Sequence, residues 1–279
     1  MGLLLTCLSL AVTARVDGLR SYISPAGSDN RPCTRNQPCR TFDGALAKTD
    51  PGGEIVALET GSYDPATVIK SITLSSAPGA DVSIRVATGN AVTISGNSGD
   101  VIVLRGLRLN GPGKNVVGTN GVMFNINSPN CCVAVHVENS TISDFDRGVQ
   151  MELGVASRLL VSDSVFRSNK TGIHMFVGGA DGNGASIERT RFESNEVGLL
   201  HAGGNSAAVS NSVASGNGIG FLTAVVGRSN CSTPWRARIR RVSKPMAESF
   251  ASRIALSPET APVSPRVAAR SVRWATTWL

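Results

Sequence analysis

Five side chains with acid, base or cationic chemistry occupy related positions in the middle of the chain: His136, Glu138, Asp163, Glu188 and Arg189. Two carboxyl groups at a suitable separation can act as the acid and the base of glycoside hydrolysis. The carboxylates could also hold a calcium ion, and the group as a whole could handle an acidic sugar. If the protein is an enzyme, the pattern predicts Glu138, Asp163, Glu188 and Arg189 as its catalytic residues and His136 as a substrate-binding residue.

A second interpretation of these five residues needs no ligand. Charged side chains on an outward strand face prevent sheet edges from pairing with other chains. The same residues would then form the solvated surface of a structural or adhesive protein without catalysis. Taken alone, charged residues on a strand face are more often of this second kind.

All five residues belong to a segment, residues 132–223, that contains four copies of one sequence pattern. Each copy runs from aliphatic residues through a Ser/Thr-containing turn to a Gly, and these glycines are 24, 26 and 22 residues apart. Leucine-rich repeats have similar lengths, but here Val, Ile, Phe, Ala and Leu interchange, and no copy has room for a long helix. The pattern predicts an all-β solenoid of stacked coils. The repeated glycines are Gly148, Gly172, Gly198 and Gly220.

When the coils stack, equivalent positions form columns along the axis. Successive residues of one column are roughly 4.8 Å apart. Strand alternation predicts four apolar inward columns. They are Val135/Leu159/Ala185/Ala207, Val137/Val161/Ile187/Val209, Ile142/Phe166/Phe192/Ala214 and Val149/Ile173/Leu199/Phe221. Two polar columns are predicted to be hydrogen-bonded ladders with a structural role. They are Ser140/Ser164/Thr190/Ser212 and Asn169/Asn195/Asn217. The remaining outward columns contain the five candidate residues, with Glu138 and Glu188 two coils apart.

The N-terminal region predicts export. Residues 1–14 contain an apolar run that suits a signal peptide cleaved after Ala14 and is too short to span a bilayer. A buried N-terminal strand is the alternative. We expect an exported protein, in the periplasm, at the cell surface or outside the cell, without a transmembrane segment. Cys33 and Cys39 are then expected to form a disulfide, with two free thiols as the alternative.

Between the cysteines and the repeats, the sequence predicts a lid, several strands and a loop. Thr41 can cap a short helix whose Phe42, Ala45 and Leu46 share one face, which would cover the open end of the solenoid. Apolar segments separated by turn residues predict the first coils. These segments are 54–58, 67–74, 82–86, 91–94 and 101–109. The segment 111–120 is longer than a normal turn. It predicts a protruding loop of the kind that often forms the wall of a binding site.

The last segment, residues 228–279, differs from the rest of the chain. It contains ten Lys/Arg against two Glu, no Gly and all three tryptophans, so the net charge of +7 comes entirely from it. One interpretation is a disordered basic tail that binds acidic polymer. The other, which we favour, is a shifted reading frame. The predicted domains are therefore a signal-peptide-like segment at 1–14, a β-helix at 20–227 and the basic segment at 228–279.

The order of these features resembles a known family over about residues 20–225. The features are the Cys33/Cys39 loop, the 42–48 helix, Gly52-Gly53-Glu54-Ile55-Val56 and Lys70-Ser71-Ile72-Thr73-Leu74. They are similar to the pectate-lyase-like right-handed parallel β-helix proteins, in particular small exported bacterial members of unassigned activity. That superfamily includes lyases, hydrolases, esterases, epimerases, tailspikes and adhesins, so the resemblance implies the fold far more than the function.

The motifs of two active families are missing from this sequence. It has no Gly-His-Gly and no Asp-Asp pair of the polygalacturonase kind, and no Arg-x-Pro-x-x-Arg of the pectate lyases. The resemblance therefore implies a carbohydrate-facing protein with polysaccharide as the expected partner. Whether it is an enzyme stays open, and an enzyme of this kind would be a polysaccharide lyase or a glycoside hydrolase. We expect a monomer with no specific nucleic-acid partner and no cofactor other than calcium.

Overall fold

The computed structural model describes residues 18–126, 132–151, 157–175, 183–202, 205–226 and 237–242, which form three sheets and one short helix. The strands are numbered along the chain. The first sheet contains β1 (Arg20–Ile23), β2 (Gly53–Ala57), β5 (Ile72–Ser76), β8 (Val101–Arg105), β11 (Ala134–Glu138), β14 (Arg158–Ser162), β17 (Gly184–Glu188) and β20 (Ser206–Ser210). The second contains β3 (Gly61–Tyr63), β6 (Val82–Arg85), β9 (Leu107–Asn110), β12 (Thr141–Ser143), β15 (Val165–Arg167), β18 (Arg191–Glu193) and β21 (Val213–Ser215). The third contains β4 (Ala66–Val68), β7 (Asn90–Ile94), β10 (Asn120–Phe124), β13 (Arg147–Met151), β16 (Thr171–Met175), β19 (Val197–Ala202), β22 (Ile219–Val226) and β23 (Ala237–Val242).

From β2 to β22 each coil contributes one strand to each sheet, and each strand pairs in parallel with the equivalent strand of the neighbouring coil. β1 precedes these coils and pairs in parallel with β2. In the first sheet Val135 pairs with Leu159, and Leu159 pairs with Ala185. β23 instead pairs antiparallel with β22. The predicted all-β parallel solenoid is confirmed.

The four predicted inward columns belong to one continuous apolar core, which also includes buried residues of the earlier coils. Val137, Val161 and Ile187 are almost completely buried, as are Phe166 and Phe192. These two phenylalanine rings stack with their centroids 5.3 Å apart. A narrow aliphatic core of this kind is stabilised by roughly 1.5–3 kcal/mol for each fully buried large side chain.

The repeated glycines are required by the close approach of successive coils. A Cβ atom on Gly148 would lie 2.4 Å from the carbonyl oxygen of Gly172, and one on Gly172 would lie 2.4 Å from that of Gly198. The same distance separates a Cβ on Gly198 from the carbonyl oxygen of Gly220. No side chain fits at such a distance from backbone, so the period seen in the sequence is a steric requirement of stacking.

The N-terminal end of the solenoid is covered as the sequence predicts. The helix α1 (Phe42–Leu46) begins after Thr41, whose side chain accepts a hydrogen bond from the Gly44 N–H at 2.9 Å. Phe42, Ala45 and Leu46 are buried. Cys33 and Cys39 form the predicted disulfide, with their Cα atoms 4.6 Å apart.

Two predicted strands are each two strands in the structure. Segment 67–74 divides into β4 and β5 around a turn at Lys70 and Ser71, and segment 101–109 divides into β8 and β9 at Gly106. Gly106 has φ +69°, which turns the chain from the first sheet to the second. Apolar residues continue through both corners because side chains on either side of a corner face the same core.

The predicted end segments lie mostly outside the described residues. Residues 1–14 are outside them, and so is all of 228–279 except β23. The signal peptide and the two interpretations of the basic segment stay predictions. Within the described part of the chain, no helix has the length and hydrophobicity that a membrane span requires.

Candidate functional site

The structure places the predicted site residues at the end of the strands of the first sheet. His136 and Glu138 lie on β11, and Glu188 is the last residue of β17. Asp163 and Arg189 lie one residue beyond the strands, in the corner that leads to the second sheet, with φ +51° and +46°. The sequence assigned these two to an outward strand column. They belong instead to a left-handed corner, because the chain must leave the first sheet there.

The corner between the first and second sheets is called the first turn and consists of the column Asn139, Asp163, Arg189 and Asn211. Arg189 forms a bidentate ion pair with Asp163, with Nε to Oδ1 at 2.8 Å and Nη2 to Oδ2 at 2.9 Å. Its Nη1 also lies 2.6 Å from Oε1 of Glu188. Hydrogen bonding to Arg189 holds the pKa of Asp163 below its usual value. Asp163, Glu188 and Arg189 are therefore brought together, as one exposed cluster.

His136 and Glu138 belong to a second cluster. Nε of Arg105, on the preceding coil, lies 2.8 Å from Oε2 of Glu138, and Nδ1 of His136 lies 3.8 Å from Oε1. Ser162 stands between Glu138 and Glu188 in the register, which confirms that these two glutamates are two coils apart. Among the described residues, no three His, Cys, Asp or Glu side chains are grouped so that they could hold a metal ion. The catalytic assignment stays a prediction.

The predicted hydroxyl and amide columns are ladders that hold the turns from inside. The Ser140 N–H donates to Oγ of Ser164 at 3.2 Å. The Asn169 N–H donates to Oδ1 of Asn195 at 2.9 Å, and the Asn195 N–H donates to Oδ1 of Asn217 at 2.8 Å. Each amide oxygen thus satisfies a backbone donor of the preceding coil. Their structural role is confirmed.

A third ladder was not predicted. The Ser157 N–H donates to Oδ1 of Asn183 at 3.2 Å, and the Asn183 N–H donates to Oδ1 of Asn205 at 2.8 Å. The signal for it is present in the sequence, because Ser157, Asn183 and Asn205 each stand immediately before a strand of the first sheet.

The two later histidines do not form a metal pair. β16 and β19 align His174 with Leu200, and Met175 with His201, so the two histidines occupy different columns. Nδ1 of His174 lies 2.9 Å from Oε1 of Gln150. Burial lowers the pKa of His174 to about 4, so its imidazole is neutral at ordinary pH.

The corner between the second and third sheets is also left-handed. It is called the second turn and consists of Asp144, Ser168, Ser194 and Gly216, with φ between +55° and +64°. Residues 111–119, here called the roof loop, follow β9 in the place where an ordinary coil would have this corner. The protruding loop predicted from the sequence is therefore a replacement for one turn of the column.

The roof loop and the second turn enclose a groove with a volume of about 480 Å³. One wall is formed by residues 112–116 of the loop and the other by Asp144, Ser168 and Ser194. Successive members of that column are roughly 4.8 Å apart, so the groove extends along the solenoid axis. Asp144, Ser168 and Ser194 are not among the residues that the sequence pattern predicts for a site.

The roof loop is held at both ends and at its middle. The Gly113 N–H donates to the backbone oxygen of Asp144 at 2.8 Å, and the Gly118 N–H donates to Oδ2 of Asp146 at 3.0 Å. Nζ of Lys114 lies 3.5 Å from Oε1 of Glu196, which belongs to the coil of β18 and β19. These contacts fix the groove as a concave surface.

Three polar side chains of the groove differ from Asp163 and Arg189 of the first turn, because they have no side-chain partner among the described residues. Within the described residues, the Asp144 carboxylate and the hydroxyls of Ser168 and Ser194 make no side-chain hydrogen bond or ion pair. Their lone pairs and hydroxyl protons are directed to solvent or to a ligand. A concave surface with a few convergent polar groups is the usual form of a small-molecule site.

The comparisons with known proteins give distant structural likenesses and no family. No family model matches the sequence, and no curated protein matches it. A solved structure of a rhamnogalacturonan lyase is 11% identical, with 80% of this chain and 79% of that chain covered and a TM-score of 0.38. A solved structure of pectate lyase Pel9A is 14% identical, with 71% and 79% covered and a TM-score of 0.27. The chain's own three parallel sheets, with one coil per repeat, give it a pectate-lyase-like parallel β-helix fold.

Proposed function

We propose that this chain binds polysaccharide in the groove between the roof loop and the second turn. The observation that carries the proposal is the groove itself, where a fixed loop faces a column of polar side chains that have no partners within the described residues. The resemblance seen in the sequence, to a superfamily with many carbohydrate-active members, supports this choice of ligand.

The chemistry of the lining suits a sugar. Hydroxyl, carboxylate and amide groups of Ser168, Ser194, Asp144 and Asn115 can exchange hydrogen bonds with sugar hydroxyls, and Val116 offers an apolar surface to ring C–H groups. The polar column repeats once per coil, roughly every 4.8 Å, which is comparable to the length of one pyranose residue in an extended chain. An oligosaccharide can thus lie along the groove with one sugar for each coil.

The expected affinity is weak. The described lining contains no aromatic side chain on which a sugar ring could stack. A few exposed hydrogen bonds and little apolar burial correspond to a dissociation constant of about 1 mM for a short oligosaccharide. Binding to a long polymer would be strengthened by rebinding along its repeated units.

The test is depletion of the full chain from solution by insoluble cellulose, chitin and β-glucan, and by gelled pectin. The double variant Ser168→Ala/Ser194→Ala removes both hydroxyls of the column without adding volume. We expect wild type to bind at least one polysaccharide, and the double variant to bind it at least about fivefold more weakly, since each lost hydrogen bond contributes about 0.5–1.5 kcal/mol.

The matched control is Ser162→Ala/Ser210→Ala, which removes two hydroxyls from the outward column of the first sheet. It should bind like wild type. Equal binding by both double variants would contradict the groove, and absence of binding to all four polysaccharides would contradict a carbohydrate function and favour a structural or adhesive protein.

Catalysis at the first sheet is a second proposal, for which the register of Glu138 and Glu188 in one column is the supporting observation. Against it, Glu138 is ion-paired with Arg105, and Asp163 with Arg189. The hydrogen bonds from Arg189 hold the pKa of Asp163 below its usual value, whereas a general acid must hold a proton. Release of reducing ends or unsaturated products by wild type, lost in Glu138→Gln or Glu188→Gln, would establish catalysis; unchanged polysaccharide would exclude it for that substrate.

Export and a monomeric state complete the proposal. The Cys33–Cys39 disulfide supports export, because such bonds persist in oxidising compartments. Detection of the protein outside the cytoplasm with residues 1–14 removed would verify the export prediction. Sedimentation of the purified chain at the mass of one copy would verify the monomer.

A further inference from the structure

We infer that the groove takes neutral or amine-bearing sugars and discriminates against uronates, with Asp144 as the residue that determines this specificity. The inference rests on the proposed function and adds the substrate class. It differs from the acidic sugar that the charged residues of the first sheet suggested in the sequence.

The electrostatic argument starts from the charged groups of the lining, which are Lys114 and Asp144. Lys114 is paired with Glu196 at 3.5 Å, so its charge is balanced. Close by, Lys170 is paired with the largely buried Asp146 at 3.7 Å. Asp144 is left as the lining charge without an ionic partner among the described residues, so the unbalanced charge of the lining side chains is negative.

A carboxylate in this position accepts hydrogen bonds and donates none. It can bind an ammonium group by a charge-assisted hydrogen bond, and it can bind a neutral hydroxyl by an ordinary one. A uronate carboxylate at the same place would meet a like charge and could donate no proton at neutral pH. The ranking that follows is amino sugar first, neutral sugar second and uronate last.

The position of Asp144 also predicts where along the sugar chain the discrimination occurs. The Gly113 N–H of the roof loop binds the backbone oxygen of Asp144, so the carboxylate lies at the end of the groove where the loop begins. Ser168 and Ser194 follow on the next two coils, at steps of roughly 4.8 Å. These hydroxyls can both donate and accept, so they do not distinguish sugar charge. Discrimination is therefore expected at one sugar of a bound trimer or longer oligomer.

The test is titration of the full chain with three tetramers: the β-1,4-glucosamine tetramer, cellotetraose and tetragalacturonate. Binding is measured by the chemical-shift changes of the protein. At low ionic strength we expect the glucosamine tetramer to bind about five- to tenfold more tightly than cellotetraose, and tetragalacturonate to bind more weakly than both. Added salt should reduce the first difference, because exposed charges are screened.

Asp144→Asn is the specific variant. Asn tolerates a φ of +64° at least as well as Asp does, so the turn is retained. The variant should bind glucosamine and galacturonate tetramers equally within about twofold, while cellotetraose affinity changes little. Asp163→Asn, which removes a carboxylate from the first turn, is the control and should keep the wild-type ranking.

Two outcomes would overturn the inference alone: tightest binding of tetragalacturonate by wild type, or an unchanged ranking in Asp144→Asn. In both cases the groove would still be a sugar site, provided that Ser168→Ala/Ser194→Ala weakens binding. If no tetramer binds and polysaccharide depletion also fails, the proposed function is wrong and the specificity falls with it.

Discussion

The first and second turns have the same backbone conformation, but their side chains differ in whether they are paired with one another. Both are columns of residues with positive φ, stacked at one residue per coil. In the first turn Arg189 joins Asp163 and Glu188 in ion pairs, so the charges are satisfied within the column. In the second turn the side chains have no such partners within the described residues, and the roof loop faces them across a groove. The repeat thus determines the backbone of a corner, whereas the choice of side chains decides whether that corner can bind a ligand.

The largest expected effect comes from removing the internal support of the second turn. Asn195 follows Ser194 and is almost completely buried; its Oδ1 accepts from the Asn169 N–H and its Nδ2 donates to the Phe166 carbonyl at 2.9 Å. Asn195→Ala leaves these buried groups unsatisfied and should lower the free energy of unfolding by about 3 kcal/mol. Urea unfolding measures the change.

Ser194→Ala is the neighbouring control for that measurement. Its side chain is exposed and makes no hydrogen bond in the described structure, so its effect on the free energy of unfolding should stay within about 0.5 kcal/mol. If the two variants unfolded at the same urea concentration, the amide ladder would not be what holds the second turn.

An intermediate effect should separate stability from binding. Ser168 has φ +55° and Asp163 has φ +51°, and Gly adopts this region without steric cost. Ser168→Gly should raise the free energy of unfolding by about 0.5–1 kcal/mol. It should also weaken oligosaccharide binding, because one groove hydroxyl is lost.

Asp163→Gly relieves the same backbone strain in the first turn but removes an ion pair. Its gain in the free energy of unfolding should therefore be smaller than that of Ser168→Gly, and its oligosaccharide binding should be unchanged. Thermal unfolding and the tetramer titration measure these effects for the two variants Ser168→Gly and Asp163→Gly. Loss of binding in Asp163→Gly, with none in Ser168→Gly, would assign the ligand to the first turn and reverse the comparison.

The smallest effect is the pH dependence of the first turn. Because Arg189 lowers the pKa of Asp163, the unfolded chain takes up a proton there at a higher pH than the folded chain. The resulting stability is present above the unfolded pKa, near 3.9, and is lost as the pH falls through the folded pKa. Between pH 5 and pH 2.5 the melting temperature should fall slightly more steeply with decreasing pH for wild type than for Asp163→Asn. Parallel curves would show that the ion pair contributes nothing.

The sequence predicted the solenoid well, since its periodicity reflects steric requirements. Gly148, Gly172 and Gly198 recur because a Cβ atom would collide with the next coil. Phe166 and Phe192 recur because their column fills the core. A period of this kind is visible in one sequence, so the inward columns, the Thr41 cap and the covering helix were predicted correctly.

The groove could be predicted only in part. The length of the roof loop indicated a binding wall, but nothing in the sequence shows which column it faces. Asp144, Ser168 and Ser194 are ordinary turn residues, and their lack of partners is a property of the fold. Conversely, the ion pairing of Asp163 with Arg189 depends on φ values that place them in a corner, which strand alternation does not predict.

The roof loop has a consequence for how the solenoid opens. In a linear array each coil normally contacts only its neighbours, so opening can spread from an end one coil at a time. The Lys114–Glu196 contact joins the coil of β9 to the coil of β18, three steps along the axis. A sugar chain held by Asp144, Ser168 and Ser194 would act as a further cross-link over three successive coils. Fraying would then have to release several coils at once, and ligand binding would be visible as slower amide hydrogen exchange far from the sugar.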